Sequence, residues 1–220
     1  MCIIAIKPKG KPMFPERSIR TMFANNPDGS GFMYCRNGKV VIEKGYMTAE
    51  SLLARLQRTD LTDFNVVIHF RIGTSGLNNK LNCHPYPIYR KNSLACECDL
   101  GMAHNGILHG YVPSRYSKVN DTQVFIANVI SNLRKGWQYN PDVLMLIEEL
   151  IGSNRLAFLD NQGHLTLIGE YIEDDGYIYS NTSYRVLKQA KKSPVFTLSE
   201  EDNEMDLWDE LENERKRGRI

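Results

Sequence analysis

No stretch of this chain stays apolar long enough to span a bilayer. Uninterrupted runs such as Val143 to Ile147 fall far short of the ~18 residues a membrane helix needs. Net charge is nearly absent, since 27 Lys+Arg against 26 Asp+Glu leave +1. A protein that neutralises a phosphate backbone needs a basic surface, so nucleic acid is not an expected partner, and neither is a membrane. A secretory h-region is missing as well, because Lys7, Lys9 and Lys11 follow only four apolar residues after Cys2. The five cysteines, Cys2, Cys35, Cys83, Cys96 and Cys98, are odd in number. With no secretory signal they argue for a reducing, cytoplasmic setting, where a cysteine is a buried filler, a metal ligand or a nucleophile before it is a disulfide partner. There are no repeats and no low-complexity tracts. What is present, 42% hydrophobic residues over 220, excludes disorder and suffices for one domain with a sizeable core.

Cys2-Ile3-Ile4-Ala5-Ile6 is a β-branched run that stops at Pro8 and Gly10, and it reads as a buried strand. Glu16 to Ala24 reads as a short helix. A turn-rich segment from Asn25 to Gly31 leads into strands over Phe32–Cys35 and Lys39–Glu43, joined by Asn37-Gly38, a strong type I′ hairpin signal. Thr48 can cap a helix through Gln57. Asn65 to Ile72 is the clearest strand, and its period of two puts Val67, His69 and Arg71 on one face and Ile68, Phe70 and Ile72 on the other. Leu77 to Cys98 reads as irregular, with short extended pieces, and Gly101 to Leu108 as a strand ending at Asn105-Gly106.

Asn120 followed by Gln123 is capping-box-like and opens a helix to about Leu133, and Pro141 to Ile151 is a second helix. Strands are expected at Asn154–Asp160, His164–Tyr171 and Tyr177–Asn181, with turns at Asn161-Gln162-Gly163 and Asp174-Asp175-Gly176. Strands joined by tight turns, with grouped helices between them, argue for an α+β fold of antiparallel sheets carrying helical layers. Composition then shifts: Glu200 to Glu214 holds nine acidic residues and no basic one, before Arg215, Lys216, Arg217 and Arg219. Residues 2–198 are therefore read as one domain and 199–220 as a charged tail. Met205, Trp208 and Leu211 fall at helical spacing there, giving a short amphipathic helix that packs on its own domain or docks a partner.

A cysteine at position 2 has chemistry that a cysteine elsewhere lacks. Removal of Met1 would leave a thiol and a free α-amine on one residue, and an amine with a reference pKa near ~8 can take the thiol proton directly or through water. By itself, Cys2 on an apolar strand reads first as a small buried hydrophobe. The chain also carries His69-Phe70-Arg71-Ile72-Gly73-Thr74-Ser75-Gly76, then Asn82-Cys83-His84-Pro85, then His104-Asn105-Gly106-Ile107, then Asn120-Asp121-Thr122. In this order and at about this spacing, the sequence resembles the class II glutamine amidotransferase domain from Cys2 to roughly Ser183. Asn26-Pro27-Asp28-Gly29-Ser30-Gly31 is similar to the family's Gly-rich loop, and Tyr179-Ser180-Asn181-Thr182 to its late strand.

The resemblance implies a four-layer αββα N-terminal-nucleophile hydrolase sandwich that acts on L-glutamine or another γ-glutamyl compound. It implies that Cys2 attacks the side-chain amide to form a γ-glutamyl thioester and release ammonia. Asn105 and the Gly106 N–H would form the oxyanion hole, Arg71 would hold the substrate α-carboxylate, Asp121 its α-ammonium, and Thr74 would be a further substrate contact. The residue types suit the task, since a zwitterion calls for one fixed cation and one fixed anion, and a tetrahedral oxyanion for neutral donors. Each also has a structural alternative: a helix N-terminus for Asp121, a turn for Asn105-Gly106, an ion pair for Arg71. His69, His84 and His104 read as hydrogen-bonded scaffold.

No cofactor is expected. Cys83-His84, Cys96-Glu97-Cys98 and His104 make a poor zinc set, because Cys-x-Cys is tighter than structural zinc spacing and has no second such pair. Two positions depart from the family: Asn25 where many members carry arginine, and Ile72 where sugar-forming members carry tryptophan. The Asn-Pro-Asp-Gly loop is closer to stand-alone members, and the segment beyond Ser183 is too short for a synthase. The expected function is thus a free-standing glutaminase subunit feeding ammonia to a separate acceptor enzyme. The alternatives are a γ-glutamyl amide hydrolase with no partner and a non-catalytic module that keeps the fold.

Overall fold

The computed structural model describes residues 1–73, 77–114 and 117–186. The apolar run after Cys2 forms β1 (Ile3–Lys7), every residue of it buried. Then come α1 (Glu16–Asn25), β2 (Ser30–Arg36), β3 (Lys39–Tyr46), α2 (Ala49–Leu56) and β4 (Val66–Phe70). The β2–β3 hairpin turns at Asn37 and Gly38, both at positive φ as the sequence predicts. Thr48 caps α2 by accepting a bond from the Ser51 N–H. The stretch expected to be irregular contains two short strands, β5 (Tyr86–Pro87) and β6 (Ala95–Cys98). After β7 (Leu100–Asn105) come α3 (Asp121–Asn128), α4 (Pro141–Ile151), β8 (Arg155–Asp160), β9 (Leu165–Ile168), β10 (Ile172–Asp174) and β11 (Tyr177–Tyr179).

All pairings are antiparallel. One sheet runs β10-β11-β1-β4-β2-β3-β6 and the other β5-β7-β8-β9. The side-chain period of two divides β1 and β4 between two cores. Ile3, Ala5, Val66, Ile68 and Phe70 pack under α1 and α2 with Met22 and Leu52. Ile4, Ile6 and Val67 meet Ala103, Ala157 and Leu159 between the sheets. A third core joins Met102, Leu156 and Phe158 to Phe125 of α3 and Ile147 of α4. Three stacked cores make four layers, helix, sheet, sheet, helix, as expected. The sheets approach closely at Gly101, where a Cβ would lie 2.7 Å from the Met33 sulfur.

Three expected boundaries move. The helix opened by Asn120 is α-helical only to Asn128; beyond Val129 the chain tightens into a 3₁₀ turn over Ile130–Asn132, and the Asn132 side chain donates to the Ala127 and Asn128 carbonyls. The strand expected over His164–Tyr171 ends at Ile168, because Gly169 takes φ 91°. β10 arises between the strand expected to end at Tyr171 and the turn expected at Asp174-Asp175-Gly176, since Asp175 and Gly176, both at positive φ, close a hairpin onto β11. Among the described residues no helix is long and apolar enough to cross a membrane. The expected tail helix lies outside the described residues.

Candidate active site

Cys2 sits immediately before β1, and β1 is held in the sheet centre by β4 and β11. Its Sγ is 3.3 Å from both the N–H and the carbonyl oxygen of Ile72, just past the end of β4. Its carbonyl accepts a bond from Asn181 Nδ2 at 2.6 Å. Ser180 ties the neighbouring strands together: its Oγ accepts from the Ile4 N–H at 2.9 Å and from Asn105 Nδ2 at 2.8 Å. The nucleophile candidate and Asn105, which ends β7 in the other sheet, are thereby linked through one hydroxyl. Burial pushes the Cys2 thiol up, against the smaller opposing effects of the Ile72 N–H and the Arg71 charge, so it is held protonated and needs a base.

A small cavity beside this thiol is lined by Cys2, Arg71, Gly106 and Asp121, together with His84 and Thr122. Four of the six expected site residues are therefore brought together from separate elements. Asn105, buried at the end of β7, adjoins Gly106 in the chain; its Nδ2 donates to Ser180, leaving the second N–H of that amide for another acceptor. Thr74 lies outside the described residues.

Arg71 is buried, and its Nη1 donates to Asn78 Oδ1 at 2.8 Å. Asn78 Nδ2 donates to Asp28 Oδ1 at 2.9 Å, and the other Asp28 oxygen accepts the Gly73 N–H at 2.8 Å. The Asn-Pro-Asp-Gly loop therefore braces the arginine through Asn78, a partner that no motif in the sequence singles out. Asp121, also buried, accepts the Leu108 N–H on one oxygen and the Thr122 N–H on the other, both at 2.9 Å.

Gly106 takes φ +138°, and a Cβ there would fall 1.9 Å from Asn154 Oδ1. Asn154 is in turn bonded by His104 Nε2 at 2.9 Å, while His104 Nδ1 meets Thr122 Oγ1 at 2.8 Å. Nothing in the sequence singles out Asn154, which reads only as the first residue of the strand expected over Asn154–Asp160. His69 and His84 stack at 4.2 Å between ring centroids, in line with their reading as scaffold. Burial drives the His69 pKa down to about 3, holds His84 well below its ordinary value and lowers His104.

On its outer side Cys2 also borders a cleft of about 750 Å³, lined by Met1, the 106–111 turn and the 149–155 segment. No set of three or more His, Cys, Asp or Glu side chains that could hold a metal occurs among the described residues.

The profile of glutamine amidotransferases class-II matches residues 13–217. The chain belongs to this family. Its members are enzymes that release ammonia from the glutamine side-chain amide for transfer. The match begins after β1, so Cys2 lies outside it. A class II relative, the isomerizing glutamine–fructose-6-phosphate aminotransferase of Pyrococcus horikoshii, is 26% identical over 141 residues. That alignment covers 60% of this chain and 22% of the relative, so the chain spans about a fifth of that protein. Among solved structures, the glutamine phosphoribosylpyrophosphate amidotransferase of B. subtilis, complexed with ADP and GMP, superposes with a TM-score of 0.50 at 16% identity. The superposition covers 84% of this chain and 42% of that one, and it shows a shared fold.

Proposed function

We infer that this chain is a glutaminase subunit that hydrolyses L-glutamine through Cys2 and passes the ammonia to a separate acceptor enzyme. The observation that carries this is the convergence of Cys2, Arg71, Gly106 and Asp121 on one cavity. In this reading Met1 is removed and the freed α-amine takes the Cys2 thiol proton. The thiolate attacks the glutamine Cδ, and the negative charge that develops on the amide oxygen meets the Gly106 N–H and the unused Asn105 N–H. The ammonium then returns its proton to the leaving nitrogen, ammonia departs and a γ-glutamyl thioester remains. Water, deprotonated by the same amine, releases glutamate and restores the thiol. Arg71 and Asp121 hold the two charges of the substrate backbone, and the buried carboxylate of Asp121 is positioned by its two N–H bonds.

The 750 Å³ cleft beside Cys2 favours a second reading. It offers more room than ammonia needs and would accept a larger amine leaving group, as in a γ-glutamyl amide hydrolase. Steady-state kinetics separate the two. A glutaminase subunit favours glutamine in kcat/KM and speeds up with its acceptor enzyme, whereas a hydrolase favours an N-substituted γ-glutamyl amide. Loss of neither activity in Cys2→Ala would contradict both.

A further inference from the structure

Ser180, just past β11, is tied to β1 twice. Its N–H donates to the Ile4 carbonyl at 2.9 Å, and its Oγ accepts the Ile4 N–H at 2.9 Å. One serine thus satisfies both backbone groups of the residue two beyond Cys2, which fixes where its hydroxyl stands. That hydroxyl is buried and lies 2.8 Å from the side-chain amide of Asn105. Alternation puts this amide on the side of the nucleophile. Asn105 has the parity of Ala103 on β7, and Ala103 packs between the sheets with Ile4 and Ile6, whose parity Cys2 shares.

Donors and acceptors do not balance while Asn105 Nδ2 faces Ser180. A hydroxyl offers one donor and two acceptor sites. With N–H groups arriving from Ile4 and Asn105, both acceptor sites of Ser180 are filled, and its own proton has no acceptor among the described residues. At the other arm of the same amide, Asn105 Oδ1 is buried without a partner. A donor and an acceptor are thus left unmade within one side chain of each other, each costly in a buried place. The two arms of a carboxamide fill nearly the same space, so turning the Asn105 amide over pairs both groups without moving the backbone. Ser180 then accepts from Ile4 and donates to Oδ1. The groups left unmade are the two N–H bonds of Nδ2, which are donors suited to a negative oxygen.

We propose that Ser180 is a positioning residue for the oxyanion hole: its hydroxyl proton holds Asn105 Oδ1 and so turns Nδ2, not Oδ1, toward the oxygen that becomes negative as the thioester forms. This rests on the reading of Cys2 as nucleophile and Asn105 as oxyanion donor. It makes the outward arm of the amide depend on a residue 75 positions away in the chain. An oxygen turned outward would repel the developing charge, whereas the amide oxygen of bound glutamine is still neutral. The Ser180 proton therefore contributes to rate and little to affinity.

Two measurements test this. In a neutron structure of the full wild-type chain in heavy water, the Ser180 deuteron is expected on the line from Oγ to Asn105 Oδ1, with both Nδ2 deuterons directed away from Ser180. An Nδ2 deuteron shared with Ser180 Oγ would overturn the proposal, and this measurement needs no variant to fold. In steady-state kinetics, Ser180→Ala is expected to lower kcat for glutamine roughly 10–100-fold with KM within about twofold. Ser180→Thr, which keeps the hydroxyl, is expected to recover most of that kcat. A loss carried by KM, or an equal loss of kcat in both variants, would assign Ser180 to packing alone and overturn the proposal. A wild-type protein that hydrolyses no glutamine would contradict the functional reading beneath it, and that failure is told apart because the neutron result does not depend on turnover.

Discussion

Gly106 admits no side chain, because its backbone sits at φ +138° and a Cβ would penetrate the Asn154 amide. Gly106→Ala is therefore expected to lose about 1–3 kcal/mol of stability in urea unfolding and to lose glutaminase activity, by forcing the chain out of the conformation that presents its N–H. Arg71 makes a different demand. Its guanidinium donates from Nη1 to Asn78 and from Nη2 to the Leu77 carbonyl, and it is a planar fork that lysine does not reproduce. Arg71→Lys is expected to lower kcat/KM for glutamine by roughly 10–100-fold, mainly through KM. An unchanged KM would assign Arg71 to loop bracing alone.

At the scale of elements, α4 shows how local chemistry sets a boundary. Asn140 accepts the Asp142 N–H at 3.0 Å, Pro141 opens the helix and Gly152 ends it at positive φ. Asn140→Ala is expected to cost about 1 kcal/mol, or roughly 2–4 °C in Tm by calorimetry, with little effect on kcat. Such signals made α4, α2 and the β2–β3 hairpin legible in the sequence. β6 and β10 were not, because a short strand is made by its partner: Ala95–Cys98 has no clear alternation of its own and pairs because β3 offers a free edge. The candidate site divides in the same way. Cys2, Arg71, Gly106 and Asp121 carry residue types that announce a chemistry, and the fold gathers them. Asn78, Asn154 and Ser180 act through hydrogen bonds that exist only once distant strands meet, and no residue type encodes that.

For the whole molecule, the buried histidines link stability to acidity. His69 is held down to about 3 in the folded protein, against an ordinary value of 6.5 in the unfolded chain, and His84 and His104 are shifted the same way. The unfolded state therefore binds protons first as the pH drops below 6.5. Stability is complete above that value and falls as pH is lowered toward the folded value, by roughly 2 kcal/mol at pH 5 from His69 alone. Urea titrations at pH 7 and pH 5 check this, and a midpoint that does not move would contradict it.

The N-terminus also matters to the molecule as a whole, because the account needs an unblocked amine on Cys2. A permanent N-terminal extension is expected to abolish turnover while leaving the circular dichroism spectrum and Tm unchanged. The most direct test is the intact mass of untagged protein before and after reaction with a diazo-ketone glutamine analogue, followed by peptide mapping. Loss of Met1 and a single adduct on Cys2 is the expected result. Retained Met1, or a processed protein left unlabelled at Cys2, would contradict the assignment of Cys2 as the nucleophile.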